Sequence, residues 1–444
     1  MKLFIIHPGI QHSPRLANGA NRSGLFKNIT LLTSVLYKPS DKVFGILKKR
    51  VKPIDKEIKI INHYLYTLLY SLSKFLYNKI IVNPNNQSHN NPIYFWQQIF
   101  GYLCLPSIYL NRKNLMVVCF ETTGWPVVKY CNKWNIPVIM DFASISHEKA
   151  KTLGINETPF GIDLKLKERV LIDYGFYCSK FCRDSFEGMT SAKKEFVLYL
   201  GAERREMQAA SSKKQDIGNM GKLGEMQESS SNNQALNSPL LEVSSQQIIN
   251  LNDNNKSINS IKLSFIANLE YRKGLDIFLE GVYGYEYSAF VEVHLIGRIR
   301  EEWVSQHLPK TILNKNIKLI YQPAMSQGEL FNYLRKEAFD LNVQTSRFDS
   351  FAMVVPETMM QGIPNVVSPF VGAGEMITHE KDGFIMDRLD SEHLSNILKY
   401  YIQLNQQERN ELKLRVLASS KNMIWENYYI QLGKVFKEIL ADNR

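Results

Sequence analysis

Two carboxylates eight positions apart stand in an otherwise apolar stretch of the second half of the chain. The stretch DSFAMVVPETMMQGIPNVVSPFVGAG begins with Asp349, and Glu357 directly follows a proline. A buried carboxylate without a partner is costly, so acids kept in such a segment are expected to have one. Hydroxyl groups suit this role, because an ionised carboxylate only accepts hydrogen bonds. The pattern therefore predicts a site for a hydroxyl-bearing ligand.

The residues around the two acids predict the elements that hold them. FDLNVQTS (339–346) is typical of a strand with a loop at its carboxyl end, and Pro356 fits the first turn of the next helix. Glu357 then lies near a helix N-terminus, where the helix dipole favours negative charge. The glycine-containing loop PFVGAG (369–374) precedes a second predicted helix start at Glu375. Two helix N-termini facing one cleft suit an anion such as a diphosphate.

Apolar runs alternate with helical patterns in both halves of the chain. In the first half the runs 115–120 and 136–142 flank a helical pattern at 125–134. Such alternation predicts parallel sheets covered by helices on both faces. We therefore expect an α/β protein with two Rossmann-like, doubly wound domains that face a cleft, with ligands at the carboxyl ends of the strands. The corresponding segments of the second half are 262–267, 274–283, 291–297, 317–321, 327–336 and 363–368.

Residues 206–260 separate the two halves. Asn, Gln and Ser dominate this segment, so it cannot bury enough apolar surface to order itself, and we interpret it as a linker or insertion. This interpretation places an N-terminal domain at 1–205 and a C-terminal domain at 261–419. Apolar residues at helical spacing near the end of the chain predict a further helix within 420–444.

The net charge of +11 falls within the first hundred residues. They contain 14 Lys and Arg against 3 Asp and Glu, whereas the remaining 344 residues contain 40 of each sign. This asymmetry indicates an anionic partner for one domain, or else a merely solvated basic face. Membrane lipid and an acidic substrate fit better than nucleic acid, because no recognition motif accompanies the basic residues.

Two aromatic-rich segments, 64–77 and 93–110, lie in the same basic region. Lys74 interrupts the first segment, and two glutamines and Pro106 interrupt the second, so neither is a clean membrane span. Next to basic residues such as the cluster 48–52, they fit shallow attachment to an anionic membrane surface, with ordinary core helices as the alternative.

The beginning of the chain and the cysteines indicate a cytoplasmic protein. MKLFIIHPGI lacks the long apolar core of a signal peptide and is better interpreted as a first strand at 2–6. The five cysteines show neither a metal-ligand spacing nor a dense disulfide framework, which is typical of reduced thiols. We expect a cytoplasmic protein that attaches peripherally to a membrane if the basic region serves that purpose.

The motif order of the second half resembles the C-terminal half of family 4 retaining glycosyltransferases, which have the GT-B fold. The likeness covers about 262–388 and includes FIANLEYRKG, VEVHLIG, DSFAMVVPETMMQGIPNVVS and VGAGEMITHEKDGF. The family's Glu-x7-Glu signature appears as Asp349-x7-Glu357. The resemblance implies that Glu357 holds the ribose hydroxyls of a nucleotide and that Asp349 contacts the donor sugar.

The resemblance also implies a basic site for the donor diphosphate. The family's phosphate-binding lysine, which precedes a glycine, corresponds to Lys273. The family's arginine five residues earlier is Asn268 here, so we expect Arg272 to supply the missing charge. Asp349 is shorter than the family's glutamate, which leaves the donor sugar open. The implied donor-binding residues are Glu357, Asp349, Ser350, Phe351, Ala352, Lys273, Arg272 and Gly9.

The first half resembles the family more weakly. VIMDFASISHEKA (138–150) occupies the place of a family histidine near the reacting sugar, so His147 is expected to be catalytic, with a capping or packing role as the alternative. Gly9 corresponds to the family's glycine turn after the first strand, or it belongs to an ordinary tight turn. In the family a C-terminal helix crosses back onto the first domain, which makes Trp425 a packing residue.

The resemblance implies a retaining hexosyltransferase that moves a sugar from a nucleotide-sugar donor to a saccharide or lipid-linked acceptor, in surface polysaccharide or glycolipid biosynthesis. The expected catalytic residues are His147, Asp349, Lys273 and Arg272. The chain contains no Asp-x-Asp pair, so no metal is expected, and the donor is a co-substrate rather than a cofactor. The alternatives are a catalytically silent relative that binds nucleotide sugar and a GT-B epimerase or phosphorylase.

Overall fold

The computed structural model describes residues 1–80, 93–155, 157–203, 260–298, 313–314 and 316–443. In these ranges the chain forms two parallel β-sheets flanked by helices, which confirms the expected α/β class with two doubly wound units. The described residues end at 203, before the predicted linker 206–260, and resume at Ser260, so the rest of the linker lies outside them.

The first unit is built on seven parallel strands among the described residues, in the spatial order 3-2-1-4-5-6-7. The order reverses between β1 and β4, and the carboxyl ends of these two strands form a crevice of the kind in which such sheets bind ligands. The strands are β1 (Lys2–His7), β2 (Asn28–Thr33), β3 (Lys59–Asn62), β4 (Leu115–Phe120), β5 (Val138–Phe142), β6 (Tyr174–Tyr177) and β7 (Lys194–Val197).

Seven helices of the first half accompany this sheet in the described ranges. Several of these helices begin directly after a serine or threonine whose side chain caps the helix. Pro159 also occupies the first position of one of them. The helices are α1 (Ser13–Arg22), α2 (Tyr64–Ile80), α3 (Ile93–Asn111), α4 (Trp125–Lys133), α5 (His147–Thr152), α6 (Pro159–Arg169) and α7 (Lys180–Asp184).

The second unit has six parallel strands among the described residues, in the order 10-9-8-11-12-13. Its strands are β8 (Ser260–Ile266), β9 (Phe290–Ile296), β10 (Ile317–Gln322), β11 (Leu341–Gln344), β12 (Asn365–Val367) and β13 (Phe384–Ile385). Its helices are α8 (Leu275–Tyr283), α9 (Gln327–Glu337), α10 (Val354–Met359), α11 (Ser391–Gln403) and α12 (Gln406–Ser420).

The last helix, α13 (Trp425–Asp442), packs against α1 of the first unit. The contact is close because Gly19 has no side chain: a Cβ there would lie 2.8 Å from Leu432 and 2.9 Å from Tyr429. A β-bridge between Ala202 and Ile424 fixes the point where the chain returns to the first unit.

Helices α2 and α3 pack against each other through aromatic rings. Tyr66 and Tyr70 of α2 both contact Trp96 of α3, and Tyr66 also contacts the buried Phe100. The opposite sides of the pair leave large apolar residues exposed. Across the described ranges, no helix combines the length and apolar character needed to cross a bilayer. The exposed residues, called the apolar helical face below, are Tyr64, Leu65, Leu68, Leu69, Leu72, Phe75, Phe95, Tyr102, Leu103, Tyr109 and Leu110.

The two units meet through hydrogen bonds at the loop that follows β11. The Ser179 hydroxyl donates to the Ser350 carbonyl oxygen at 2.6 Å, and the Ser350 hydroxyl donates to the Ala143 carbonyl oxygen at 2.8 Å. Gly372 lies against the same contact, since a Cβ there would be 2.1 Å from the Ser350 carbonyl oxygen. Ser350 therefore belongs to the interface between the units.

A carboxylate of the second unit adds to this interface. Glu375 accepts hydrogen bonds from the backbone N–H groups of Lys180 and Phe181, at 2.9 and 2.6 Å, and from the Tyr199 hydroxyl at 2.7 Å. The helix that was expected to begin at Glu375 is a short 3-10 turn, Gly372–Met376. Two glycines in five residues explain why no regular helix forms there. The Glu375 carboxylate therefore binds the first unit, and the predicted helix N-terminus for an anion does not form at this position.

Candidate functional site

A cavity of about 540 Å³ lies between the two units, at the carboxyl ends of both sheets. The first unit lines it with Ile10, Gln11 and His12 of the loop after β1, with Pro14 and Arg15 at the start of α1, and with Ala143, which follows β5. The second unit lines it with residues 349–353 and with Gln327 at the start of α9. Trp425 is buried, as expected of a packing residue, and also lines this cavity.

Asp349 lines the cavity and forms an ion pair with Lys273, which is not among the lining residues. Lys273 ends the 3-10 turn Tyr271–Lys273, and Asp349 lies in the loop after β11. The pair is largely buried, with 15% of each side chain exposed. Because the lysine charge is matched by an acid in the free protein, a bound diphosphate would compete with Asp349 for the ammonium group.

Gly274 makes this pair possible. Its φ is +69°, and a Cβ would come 1.8 Å from the Thr345 carbonyl oxygen, so only glycine fits. The Thr345 hydroxyl in turn donates to the Gly274 carbonyl oxygen at 2.8 Å. Arg347, in the loop after β11, also contacts the start of α8, where its guanidinium donates to both carboxylate oxygens of Asp276 at 2.8 and 2.6 Å. The turn that carries Lys273 is thereby held against the loop that carries Asp349.

The backbone also holds the Asp349 carboxylate. Its Oδ1 accepts from the N–H of Ala352 at 2.9 Å and, more weakly, from that of Phe351 at 3.3 Å. Ala352 has a φ of +67°, which is unusual for a residue with a side chain. The Phe351 side chain is buried in the core shared with the first unit, so only its backbone remains available to a ligand.

Arg272 lies beside Lys273 but has protein partners of its own. Its Nη2 is 2.9 Å from the Glu270 carboxylate, its Nη1 donates to the Phe348 carbonyl oxygen at 3.3 Å, and its guanidinium lies over the Phe348 ring. A third of the side chain is exposed. The structure therefore places a second positive charge near the first.

Glu357 lies in the short helix α10 and is half-buried. The amide of the cavity-lining Gln327 donates to its Oε1 at 2.7 Å. Burial raises the pKa of Glu357 to about 7, and the hydrogen bond from Gln327 opposes that shift. A carboxylate with one partner and a destabilised negative charge is suited to accept hydrogen bonds from ligand hydroxyls.

The two candidates from the first half do not line the cavity. His147 begins α5, and its Nδ1 lies 2.9 Å from the Glu148 carboxylate, which also pairs with Arg169. The Gly9 N–H donates to His7 Nδ1 at 2.8 Å, and its carbonyl oxygen accepts from Thr33. Burial lowers the pKa of His7 to about 4, so that imidazole is neutral near pH 7.

An acid–histidine pair that was not predicted from the sequence reaches the cavity through His12, which lines it. His12, directly before α1, has its Nε2 2.8 Å from the Asp141 carboxylate at the end of β5. Both side chains are largely buried, with 12% and 5% exposed. The available signal was an acid inside the apolar run VIMDF, where a buried charge implies a partner. Sequence spacing gave no sign that the partner was 129 residues away.

Within the described residues, one group of side chains has the spacing of a metal site. Glu292, His294 and Glu337 have ligand atoms within 4.8 Å of one another. The Lys262 ammonium, however, lies 3.1 Å from Glu292 and 2.9 Å from Glu337, so a lysine already neutralises the carboxylates. This cluster lies near the amino ends of β8 and β9, and its residues do not line the cavity. It forms a salt-bridge network rather than an open metal site.

Comparison with known proteins gives a family-model match within the second half of the chain and a fold for the whole chain. Residues 247–416 match the family model of the glycosyl transferases group 1. The matched region begins inside the predicted linker and ends within α12. No curated protein sequence matches the chain.

Solved glycosyltransferase structures are similar over almost the whole chain at low sequence identity. Sucrose-phosphate synthase from Thermosynechococcus elongatus has a TM-score of 0.59 and 13% identity, with 100% of both chains covered. Anabaena Alr3699/HepE in complex with UDP-glucose has a TM-score of 0.57 and 13% identity, covering 99% of this chain and 100% of that one. WaaG, a glycosyltransferase involved in lipopolysaccharide biosynthesis, has a TM-score of 0.55 and 10% identity, covering 98% and 99%. These likenesses confirm the expected GT-B fold.

Proposed function

We propose that the protein transfers a sugar from a nucleotide-sugar donor to a saccharide or lipid-linked acceptor, on the premise of the match between residues 247–416 and the family model of the glycosyl transferases group 1. The observation that carries the proposal is the cavity between the units, which Asp349 and Gln327 line, with Lys273 paired to Asp349 and Glu357 hydrogen-bonded to Gln327. Positive charge for a diphosphate and acids for sugar hydroxyls are the chemistry that a nucleotide sugar requires.

In this proposal each residue of the second unit has one task. Glu357 accepts hydrogen bonds from the ribose hydroxyls, and Asp349 accepts one from the donor sugar. Lys273, with Arg272 beside it, leaves its acid partner to bind the diphosphate and stabilises the negative charge that develops as the bond to the sugar breaks. Preorganised charge of this kind acts without a metal ion. Retention of configuration at the sugar follows from the resemblance to family 4 and is part of the proposal.

Two alternatives share the same fold. A catalytically silent relative would bind nucleotide sugar without turnover. The departures from the family pattern at Asp349 and Asn268 favour this alternative. A GT-B epimerase or phosphorylase would act on the donor without a second saccharide or lipid acceptor. Product analysis separates these alternatives, because only a transferase joins the sugar to an acceptor.

The first experiment is an assay with a panel of nucleotide sugars that begins with UDP-glucose, the ligand of the Anabaena structure. Methyl glycosides and a lipid-linked saccharide serve as acceptors, and the product is analysed by mass spectrometry and NMR. We expect transfer from one donor, with the anomeric configuration retained and no loss of activity in EDTA. Donor binding without any turnover across the panel would contradict the proposed activity and support the silent alternative. Dependence on a divalent cation would contradict metal independence alone.

We also propose that the first unit works at an anionic membrane surface on the cytoplasmic side. The apolar helical face leaves leucines and aromatic residues exposed, and α2 has no acidic residue along its length. The 3-10 helix Gly45–Arg50 ends in three basic residues and exposes Phe44 and Leu47 beside them. Its flank lies near the start of α2, because the Tyr37 N–H donates to the Arg50 carbonyl oxygen and the neighbouring Leu36 N–H donates to Asn62, whose amide donates to the Tyr64 hydroxyl. Basic and apolar surface thus adjoin, as interfacial attachment requires.

Flotation with vesicles tests this attachment. The protein should float with vesicles that contain anionic lipid, remain behind with neutral ones, and detach at high salt because the charges are screened. Replacing Lys48, Lys49 and Arg50 by alanine should weaken binding by about 3 kcal/mol, at about 1 kcal/mol for each basic residue. The matched control replaces Lys421, Lys434 and Lys437, which are exposed elsewhere. Equal binding to both vesicle types, or equal losses in both variants, would refute the membrane claim and leave the nucleotide site untouched.

A further inference from the structure

The first unit contributes a lysine, Lys52, to the cavity that Asp349 and Ser350 line from the second unit. Among the residues that the structure describes, no carboxylate pairs with its ammonium group and no hydrogen bond reaches that group. The residue is half-buried. A charge that loses part of its water without gaining a partner is costly, so a ligand anion would supply what the protein does not.

The segment that carries Lys52 is fixed against α1 by a buried asparagine. Asn18, which is 2% exposed, donates from its side-chain amide to the Pro53 carbonyl oxygen at 2.9 Å and accepts from the Asp55 N–H at 3.0 Å. On the other side, the Lys52 N–H donates to the Tyr37 carbonyl oxygen at 3.0 Å. The backbone at Lys52 is therefore held in place, and only the side chain adjusts to a ligand.

Arg15 of α1 brings a second cation to the same part of the cavity. It lies three residues before Asn18, and residues at this spacing are neighbours on one face of a helix. Its guanidinium pairs with Glu203, donates to the Tyr429 hydroxyl at 3.1 Å, and lies 5.2 Å from the centre of the Trp425 ring. Glu203 is 39% exposed, against 17% for Arg15. A ligand anion would therefore displace the carboxylate, while the aromatic contacts keep the guanidinium in position.

The charges at the cavity leave one cation over. Among the lysine, arginine and acidic side chains that line it, Arg15 is matched by Glu203. Asp349 is matched by Lys273, which leaves Lys52 without a counterpart. The proposed function already assigns cations of the second unit to the donor diphosphate. A second anion in this cavity would belong to the other substrate, the acceptor.

We propose that Lys52, with Arg15 beside it, binds a phosphoryl group of the acceptor; this inference rests on the proposed sugar transfer and names the chemical class of its second substrate. A phosphate monoester or a diphosphate carries enough negative charge to pair with an ammonium and a guanidinium together. The planar guanidinium suits phosphate in particular, because it donates two parallel hydrogen bonds to it. The bound phosphoryl group would then orient the acceptor saccharide toward the donor sugar at Asp349.

The phosphoryl group has two chemical sources, a phosphorylated saccharide and a saccharide linked to a lipid diphosphate. The 3-10 helix Gly45–Arg50, with its basic last turn, ends two residues before Lys52. One short segment thus joins the proposed membrane surface to the cavity, which suits a lipid diphosphate. A soluble sugar phosphate requires only the cavity. Both sources present the same chemistry to Lys52, and the choice of acceptors distinguishes them.

Acceptors that differ only in the phosphoryl group provide the first test. Each saccharide is offered as its methyl glycoside, as the 6-phosphate of that glycoside, and as a conjugate with a short-chain prenyl diphosphate. We expect kcat/KM to be about 100-fold higher, or more, for one of the phosphorylated forms, the range of two hydrogen bonds between charged groups. Preference for the 6-phosphate indicates a soluble acceptor, and preference for the prenyl diphosphate a lipid-linked one. Equal transfer to all three forms would refute the inference.

Lys52→Ala tests the lysine itself. The KM for the preferred phosphorylated acceptor should rise by about 10- to 100-fold, the range of a hydrogen bond to a charged group. The KM for the donor and the Kd for UDP should stay within about twofold, and Lys52→Arg should retain most of the acceptor affinity. Lys56→Ala is the matched control, because this lysine of the same segment is exposed and does not line the cavity. A parallel rise in the Kd for UDP would assign Lys52 to the donor and refute the inference.

Glu203→Gln tests Arg15 with the opposite expected sign. Without the competing carboxylate the guanidinium is free for the phosphoryl group, so the KM for the phosphorylated acceptor should fall by about two- to fivefold, the range of a partly exposed ion pair. A purely structural role of the Arg15–Glu203 pair predicts a lower melting temperature and no gain in affinity. An unchanged or higher KM would refute the part assigned to Arg15.

The results separate this inference from the proposed function. Transfer to methyl glycosides alone, with Lys52→Ala behaving as the wild-type protein, would refute the phosphoryl site and leave the proposed transferase intact. No transfer by the wild-type protein from any nucleotide sugar to any of the acceptors would refute the proposed function, and this inference with it.

Discussion

Replacing Lys273 by alanine should lower kcat for sugar transfer by about 100-fold or more, as the removal of one preorganised donor to a developing negative charge typically does. The structure adds a second cause, because the variant leaves the Asp349 carboxylate without its cationic partner at a largely buried position. That uncompensated charge would repel the donor diphosphate. Steady-state kinetics with the donor found in the panel assay measures the effect.

Three further variants separate these causes. Lys273→Arg retains the charge and should retain much more activity than the alanine variant. The double variant Lys273→Ala with Asp349→Asn should recover whatever part of the loss comes from the unpaired acid. Lys381→Ala removes an exposed charge from the same unit and should be neutral. Wild-type turnover in Lys273→Ala would show that the phosphate site lies elsewhere.

Donor binding should depend on pH through Glu357. Because burial raises its pKa to about 7, the carboxyl group is largely protonated below that pH and offers the ribose hydroxyls one acceptor fewer. We therefore expect the affinity for the donor to increase as the pH rises through 7. Binding at a pH below 7 should release protons from the protein to the solution. Calorimetric titration in buffers of different ionisation enthalpy measures both quantities. Glu357→Gln should weaken binding at pH 8 by about 10- to 100-fold, the range of a hydrogen bond to a charged group, and should remove this dependence.

The stability of the unliganded protein should change with pH in the opposite sense to the donor affinity. A folded-state pKa above the unfolded value means that Glu357 contributes stability at pH below about 4.5, the unperturbed value, and that this contribution is lost as the pH rises through 7. Glu357→Gln should therefore melt at a higher temperature than the wild-type protein at pH 8, with a smaller difference at pH 5. The control Glu411→Gln alters an exposed carboxylate. A binding profile in Glu357→Gln that still falls below pH 7 would assign the titration to another group.

Much of the fold was predictable because parallel strands buried on both faces leave a strong signal. LMVVCF is buried at all six positions, and the predicted strand 115–120 coincides with β4. The predicted strand 339–346 was too long, since β11 covers only Leu341–Gln344 and the polar residues after it turn toward Gly274. Ends of elements depend on such tertiary contacts, which a single sequence does not display.

The candidate site was predictable where its residues are close in sequence and not where they are close only in space. Asp349 and Glu357 share one loop and helix, so their spacing alone indicates a common site. The partner of Asp349 could be expected from the resemblance but not from spacing, because Lys273 is 76 residues away. His12 and Asp141 meet across three strands, and only the isolated acid in an apolar run indicated that such a partner existed. The role of His147 remains a prediction.

The loop that carries Asp349 also joins the two units, so the proposed donor binding would be thermodynamically linked to any movement of one unit against the other. Ser350, the next residue, exchanges hydrogen bonds with Ser179 and Ala143 of the first unit. Each such bond contributes about 1 kcal/mol net, so together with the three that Glu375 accepts they would oppose any separation of the units. A ligand shifts such an equilibrium only by its difference in affinity for the two arrangements. A substitution at Ser179, remote from any nucleotide contact, would then alter donor affinity by changing how often the cleft is closed.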